Sequence, residues 1–277
     1  MSTVGLTTTV GPLVDAEWLG AHLDDPHVRI VEVDVSAAAY EQGHVPGAIL
    51  WNAYSDLRHP DYTPIDTAGL GELLGRSGVR PDTTLAFYGY GAHLGYWLLK
   101  AHGHERAVIL DGPRERWEAV GGWSLDGKQP EATSFPLDAA TAGVATRGDV
   151  LAHVESGSAA LLDVRSREEY DGERFWPSGA PEEHGRAGRL PGAVHLPITE
   201  LRSDDGYRSV VEMRGALAAR RIAPGRRIVI YCTVGNRAAQ AWFALTHLLG
   251  LEDVDVYYGS WAEWGSDPTT PVELPRP

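Results

Sequence analysis

The chain has 277 residues, 43% of them hydrophobic, a formal net charge of −14 and a single cysteine. One cysteine excludes an internal disulfide framework, and the acidic balance argues against nucleic acid, whose phosphates call for a basic surface. The opening "MSTVGLTTTVGPLVDAEW" has no basic start and no apolar run of leader length, and nowhere are there ~18 consecutive apolar residues, so no membrane span and a reducing, cytoplasmic setting are expected.

In chain order, "DAEWLGAHL" (15–23) predicts an amphipathic helix capped by Asp15. The segments "VDVSAAAYEQG" (33–43), "HVPGAILWN" (44–52), "LAFYGYGAHLGYWLLKAHG" (85–103) and "DGPRERW" (111–117) follow. Residues 124–146 are rich in Pro, Ala, Thr and Ser with no periodic apolar face and predict a linker. Beyond it, "TRGDVLAHV" predicts a second opening helix, capped by Thr146. Strands are predicted near 160–164, 193–196, 227–232 and 254–258, and helices near 147–156, 210–222 and 237–249.

The two halves repeat each other. "LDVRSREEYDG" (162–172) matches 33–43, "RLPGAVHLP" (189–197) matches 44–52, "IVIYCTVGNRAAQAWFALTHLLG" (228–250) matches 85–103, and "YGSWAEW" (258–264) matches 111–117. Tyr88 pairs with Tyr231 and Trp97 with Trp242, at offsets of 143 and 145, whereas the first segment is offset by about 130. The difference locates an insertion of about fifteen residues within 172–189 of the second copy. The expected organisation is one domain at 1–125, a linker at 126–145 and a second domain at 146–277. Strands alternating with helices predict an α/β fold in each, a mainly parallel sheet flanked by helices on both faces.

In such sheets ligands sit beyond the carboxyl ends of the strands. Cys232 occupies that position: Ile228–Tyr231 form a buried strand, Thr233–Asn236 a polar turn, and a helix opens near Arg237. Consecutive turn amides form an anion nest, and a helix N-terminus with a nearby guanidinium favours thiolate over thiol. At the matching position the first copy has Gly89, and its loop to the tryptophan is two residues shorter. A thiol serving only to fill a core needs no change of loop length, so Cys232 is read as an activated nucleophile.

The ordered set "GHVPGA" (43–48), "GRLPGA" (188–193), "LDVRSREEYDGE" (162–173), "YCTVGNRA" (231–238) and "YYGSWAEWGSDPTTPVE" (257–273) resembles the tandem-domain rhodanese sulfurtransferases over nearly the whole chain. The resemblance implies two copies of one α/β fold, an inactive N-terminal copy, and a catalytic C-terminal copy whose active-site loop starts at Cys232. It departs in two places: Arg189 stands where the first copy has His44, and "CTVGNR" is nearer the loops of thiosulfate than of mercaptopyruvate sulfurtransferases.

What the resemblance implies chemically is transfer of sulfane sulfur from a small anionic donor, thiosulfate or 3-mercaptopyruvate, through a Cys232 persulfide to cyanide, a thiol or an accepting protein. Main-chain N–H groups of Thr233, Val234, Gly235, Asn236 and Arg237 suit the persulfide anion. Arg237 either orients the loop or meets the donor. Arg165 and Arg189 are expected to reach the same rim, with Arg186 in the insertion; at most two touch substrate, the others being solvated or paired with Glu168, Glu169, Glu182 or Glu183. Asp163 is expected to fix an adjoining loop, and Trp51 to lie either in an interdomain cleft or in the core. No cofactor is needed, and no histidine cluster at metal-ligand spacing or dinucleotide fingerprint is present. Cysteine phosphatases and arsenate reductases need five residues between Cys and Arg, where four lie between Cys232 and Arg237; a non-catalytic binding module is the other alternative.

Overall fold

A computed structural model describes residues 11–127, 129–140, 142–180, 185–203, 205–222 and 225–275. In the first half, apolar runs form β1 (Leu13–Val14), β2 (Val28–Asp34), β3 (Ile49–Asn52), β4 (Thr84–Tyr88) and β5 (Ala107–Leu110). Between them lie α1 (Ala16–Ala21), α2 (Ala38–Gln42), α3 (Thr67–Arg76) and α4 (Ala92–Ala101). All pairings are parallel, in the order β1-β5-β4-β2-β3. Parallel strands are covered on both faces, which explains why β5 is buried along its whole length instead of alternating.

The second half repeats this plan with β6 (Val144–Ala145), α5 (Arg147–Ser156), β7 (Ala160–Asp163), α6 (Arg167–Tyr170) and β8 (Val194–His195). After a short hairpin, β9 (Arg202–Ser203) and β10 (Gly206–Tyr207), come α7 (Val210–Ala219), β11 (Ile228–Tyr231), α8 (Asn236–Phe243), β12 (Val254–Tyr257) and α9 (Ser260–Ser266). Its parallel sheet runs β6-β12-β11-β7-β8, the same permutation as the first. Thr146 makes the expected cap, a full capping box with Asp149, and Asp15 accepts from Trp18 N. The helix predicted over 237–249 is α8 only to Phe243 and then widens into a π turn over Ala244–Leu248. There the Thr246 hydroxyl bonds back to Trp242 O at 2.8 Å, a contact that loosens a helical ladder. Among the described residues no helix is long and apolar enough to cross a membrane.

The duplication extends to the polar bonds beneath the sheets. Tyr88 OH accepts from Val45 N (3.1 Å) as Tyr231 OH accepts from Leu190 N (3.2 Å), and Tyr40 and Tyr170 donate to Ala48 O and Ala193 O, each at 2.8 Å. The domains meet where α4 packs against α8, with Trp97 Nε1 donating to Gly143 O (3.0 Å) and its ring edge-on to Tyr258. Trp51 is core rather than cleft: it is 1% exposed and its indole donates to Ser77 Oγ at 2.9 Å. The segment read as a linker lies along α3, where Thr133 N donates to Gly75 O (2.8 Å) and Phe135 packs on the core.

Candidate active site

β11 is fully buried between β12 and β7, and Cys232 follows it at the carboxyl edge of the sheet. Cys232 is only 1% exposed, because the first domain lies over the loop. Arg58, itself 5% exposed, donates to Val234 O and to Tyr62 O (3.1 Å), with its guanidinium 4.3 Å from the Tyr258 ring centre. Tyr258 OH donates to Leu57 O, and Asn236 Nδ2 donates to Tyr90 O at 3.1 Å. Tyr54 lies close as well: burial first, then neighbouring charges including that of Cys232, raises its phenol above the ordinary value.

The carbonyls of the loop are all engaged. Cys232 O accepts from Trp261 N (3.0 Å), Thr233 O from Ala262 N (2.9 Å), and Val234 O from Arg58. A trans peptide points its N–H opposite to its C=O, and no cis peptide occurs among the described residues. Engaging these three carbonyls therefore turns the N–H groups of Thr233, Val234 and Gly235 the other way. Those amides, and the ones of Asn236, Arg237 and Ala238 in the first turn of α8, donate to no protein acceptor among the described residues. The Cys232 N–H is satisfied by Ser260 Oγ at 3.2 Å.

Gly235 lets the loop close. Its φ is 81°, and a Cβ there would stand 2.7 Å from the Tyr258 ring and 2.9 Å from the Arg58 guanidinium. Gly235→Ala is expected to lose about 1–3 kcal/mol of stability from left-handed strain. Thermal unfolding measures that loss, and turnover falls with it because the displaced groups are the ones holding the loop.

Arg237 is locked to Glu169. Its Nη1 and Nη2 donate to the two Glu169 oxygens at 2.8 Å each, and Nη2 also reaches Thr233 Oγ1 at 2.7 Å. Thr233 Oγ1 in turn donates to Glu169 at 2.5 Å, and Ser166 N completes the set at 3.0 Å in the capping box that opens α6. Burial pushes the Glu169 carboxyl up, but the hydrogen bonds and charge of Arg237, with Thr233 and Ser166 N, hold it down to about 2. For Arg237, burial acts to lower its pKa, and the hydrogen bonds of Glu169 together with the charges of Cys232 and Glu169 raise it above the ordinary value.

Two arginines expected at the substrate are engaged elsewhere. Arg165 is 0% exposed, bound through Nε and Nη2 to Asp163 (2.7–3.1 Å) and to Gly188 O (2.7 Å), with its plane 4.6 Å from the Trp261 ring centre. Asp163 also accepts from Tyr231 OH at 2.5 Å and from Arg165 N at 3.0 Å, so it ties the end of β11 to the start of the loop after β7. Arg189 is 8% exposed, pairs with Glu273 (2.7 Å) and lies 4.5 Å over the Tyr170 ring. His44 stacks on Tyr40 at 3.9 Å in the same place of the first copy, so Arg189 replaces a stacking imidazole by a stacking guanidinium. Arg186 binds the carbonyls of Gly265, Trp264, Asp267 and Thr270, and Arg174 pairs with Glu168 at 3.1 Å. Glu182 and Glu183 lie outside the described residues.

Sequence reasoning missed Arg58 and Ser260, and placed Glu169 only as a general partner. The Ser-x-x-Glu box at 166–169 was the available signal for Glu169. For Arg58 it was a further repeat, "SDLR" (55–58) against "TELR" (199–202). Among the described residues no group of histidine, cysteine and carboxylate side chains suits a metal ion.

Comparison with known proteins bears on the family and the fold. The rhodanese-like domain matches twice, at residues 15–120 and 146–267. A Haloferax volcanii protein named "Putative thiosulfate sulfurtransferase" is 38% identical, over 94% of this chain and 96% of its own. "Sulfur carrier protein TtuD" of Thermus thermophilus is 34% identical, over 94% and 95%. A solved structure of EanB bearing a cysteine persulfide, with ergothioneine, superposes with a TM-score of 0.84 at 25% identity, over 96% of this chain and 71% of that one. Two parallel sheets of one permutation, a loop cysteine in the second alone and this double match leave one assignment: the chain is a member of the rhodanese-like family of sulfurtransferases.

Proposed function

We propose that the protein is a thiosulfate sulfurtransferase in which Cys232 carries the sulfur. The Cys232 thiolate attacks the outer sulfur of thiosulfate; the new S–S bond forms as the bond to the sulfonate sulfur breaks, and sulfite leaves with the electron pair. Cyanide or a thiolate then attacks the terminal sulfur of the persulfide, and the Cys232 thiolate departs. The observation that carries this reading is the run of main-chain N–H groups from Thr233 to Ala238 without protein acceptors, beside the lone cysteine. A persulfide anion and a departing sulfite both need such donors. Thr233, Val234, Gly235, Asn236 and Arg237 hold the transferred sulfur through their amides, while the Arg237 side chain, neutralised by Glu169, keeps the loop in shape.

A second reading concerns the acceptor. Tyr54 and Tyr90 are 39% and 55% exposed, and Tyr62 meets both Tyr54 and Trp176, at 6.4 and 5.2 Å between ring centres. An aromatic surface of this kind beside the loop suits a protein or aromatic acceptor, in line with the relative named a sulfur carrier. The setting for either reading is the cytoplasm, and the nucleophile belongs to the domain at 146–277, with 1–125 as its partner copy.

The test is sulfur loading. Thiosulfate is expected to add one sulfur atom to the intact mass, removed by cyanide as thiocyanate, and to turn over faster than 3-mercaptopyruvate. A chain loaded only by 3-mercaptopyruvate reverses the donor assignment, and an unmodified mass with both leaves a binding module.

A further inference from the structure

We infer that Arg58, in the domain without the nucleophile, is a positioning residue for the Cys232 loop: by holding the Val234 carbonyl outward it directs the Gly235 amide onto the sulfur. The inference rests on the reading of Cys232 as the sulfur carrier. Of the three loop carbonyls, two are held by main-chain N–H groups of the same domain, Trp261 and Ala262, which every sequence provides. The third, Val234 O, is held by a side chain from the other domain. Without Arg58, this peptide is free to rotate, and its carbonyl becomes available to the Ala238 N–H one helical turn on. That rearrangement removes two donors from the proposed cradle together.

Arg58 is built to hold one position. It is buried between Tyr258 and Gly235, its other amino group is bound to Tyr62 O, and the Tyr258 beneath it is anchored to Leu57 O. Among the described residues no carboxylate pairs with it, so its charge is not neutralised beside the loop, in contrast to Arg165, Arg189 and Arg237. The duplication repeats the residue but not the bond. Arg202, the counterpart of Arg58, lies over the Tyr207 ring of its own domain (5.4 Å to the ring centre) and lines a cavity of about 510 Å³ together with Gly89, Tyr90 and His93 of the first domain, where the first copy has no thiol. Among the described residues the arginine is bonded to the other domain's loop only on the side that carries the thiol. The domain lacking a nucleophile contributes to catalysis through its shape.

The experiment compares full-length wild type, Arg58→Met and Arg58→Lys. Methionine keeps an apolar stem on Tyr258 without a donor, and lysine keeps a donor. Removing one anion-stabilising donor costs ~10²–10³ in kcat; for a donor that is misdirected rather than deleted, Arg58→Met is expected to lose about 10–100-fold in kcat. The donor KM moves less than about threefold, and the persulfide, followed by intact mass, decays several-fold faster. Arg58→Lys recovers most of the loss. A kcat for Arg58→Met within twofold of wild type overturns the inference, as does a loss that lysine fails to recover, which assigns the effect to packing. A wild-type chain that takes up no sulfur overturns the carrier reading and this one with it. Normal loading beside an unimpaired Arg58→Met overturns this one alone.

Discussion

Cys232→Ser is expected to abolish sulfur transfer, with turnover of thiosulfate and cyanide at least about a thousandfold below wild type. No other residue can carry sulfane sulfur, because the chain has one cysteine. A serine hydroxyl at the same place ionises far less readily and forms no bond to sulfur that survives transfer. The fold should be little affected. The side chain changes by one atom, the Cys232 N–H keeps Ser260 Oγ, and the carbonyl keeps Trp261 N. The check is a thiocyanate assay beside thermal unfolding: activity should vanish while the unfolding temperature stays close to that of wild type. Turnover retained in this variant removes Cys232 from the mechanism.

Glu169→Gln is expected to have the largest effect on stability near the site. Removing one partner of a buried ion pair costs ~3–5 kcal/mol, because the remaining charge stays buried. Here Arg237 would keep its charge with no carboxylate, and Thr233 would lose its strong acceptor. Both residues belong to the loop, so turnover should fall at least about tenfold along with stability. The pH dependence gives a second check. The Glu169 carboxyl is depressed to about 2, so its contribution is fully present above the ordinary carboxyl range and fades as pH falls toward that value. The gap in urea stability between wild type and Glu169→Gln should therefore be wide at pH 7, begin to shrink as pH falls through the ordinary carboxyl range, and be smallest near pH 2. An equal gap at both pH values rules out the ion pair as its source.

Much of this was legible in the residues. Fold and duplication followed from apolar runs alternating with helical periodicity, and the strand–turn–helix around Cys232 from eleven consecutive residues, Ile228 to Ala238. The capping residues Asp15 and Thr146 were legible because a cap is a local bond between residues three apart. The arginines were not. Whether a guanidinium meets a donor or a carboxylate depends on residues distant in sequence, as with Arg189 and Glu273 or Arg165 and Gly188. The covering of Cys232 was hidden for the same reason, since Arg58 and Val234 are separated by 176 positions. The π turn after Phe243 escaped as well, because Thr246 fits a helical pattern and only its back-bond to Trp242 reveals the widening.

Gly89, where the first copy lacks the thiol, also shows why that copy has no room for one. Its φ is 89°, and a Cβ built on it would lie 2.9 Å from Val33 O, in a loop two residues shorter than the one after Tyr231. Grafting a cysteine there by point substitution would meet backbone on one side and strain on the other. A thiol in the first domain would therefore need a longer loop as well as a new side chain, which leaves one nucleophile per chain as the arrangement this pair of domains can hold.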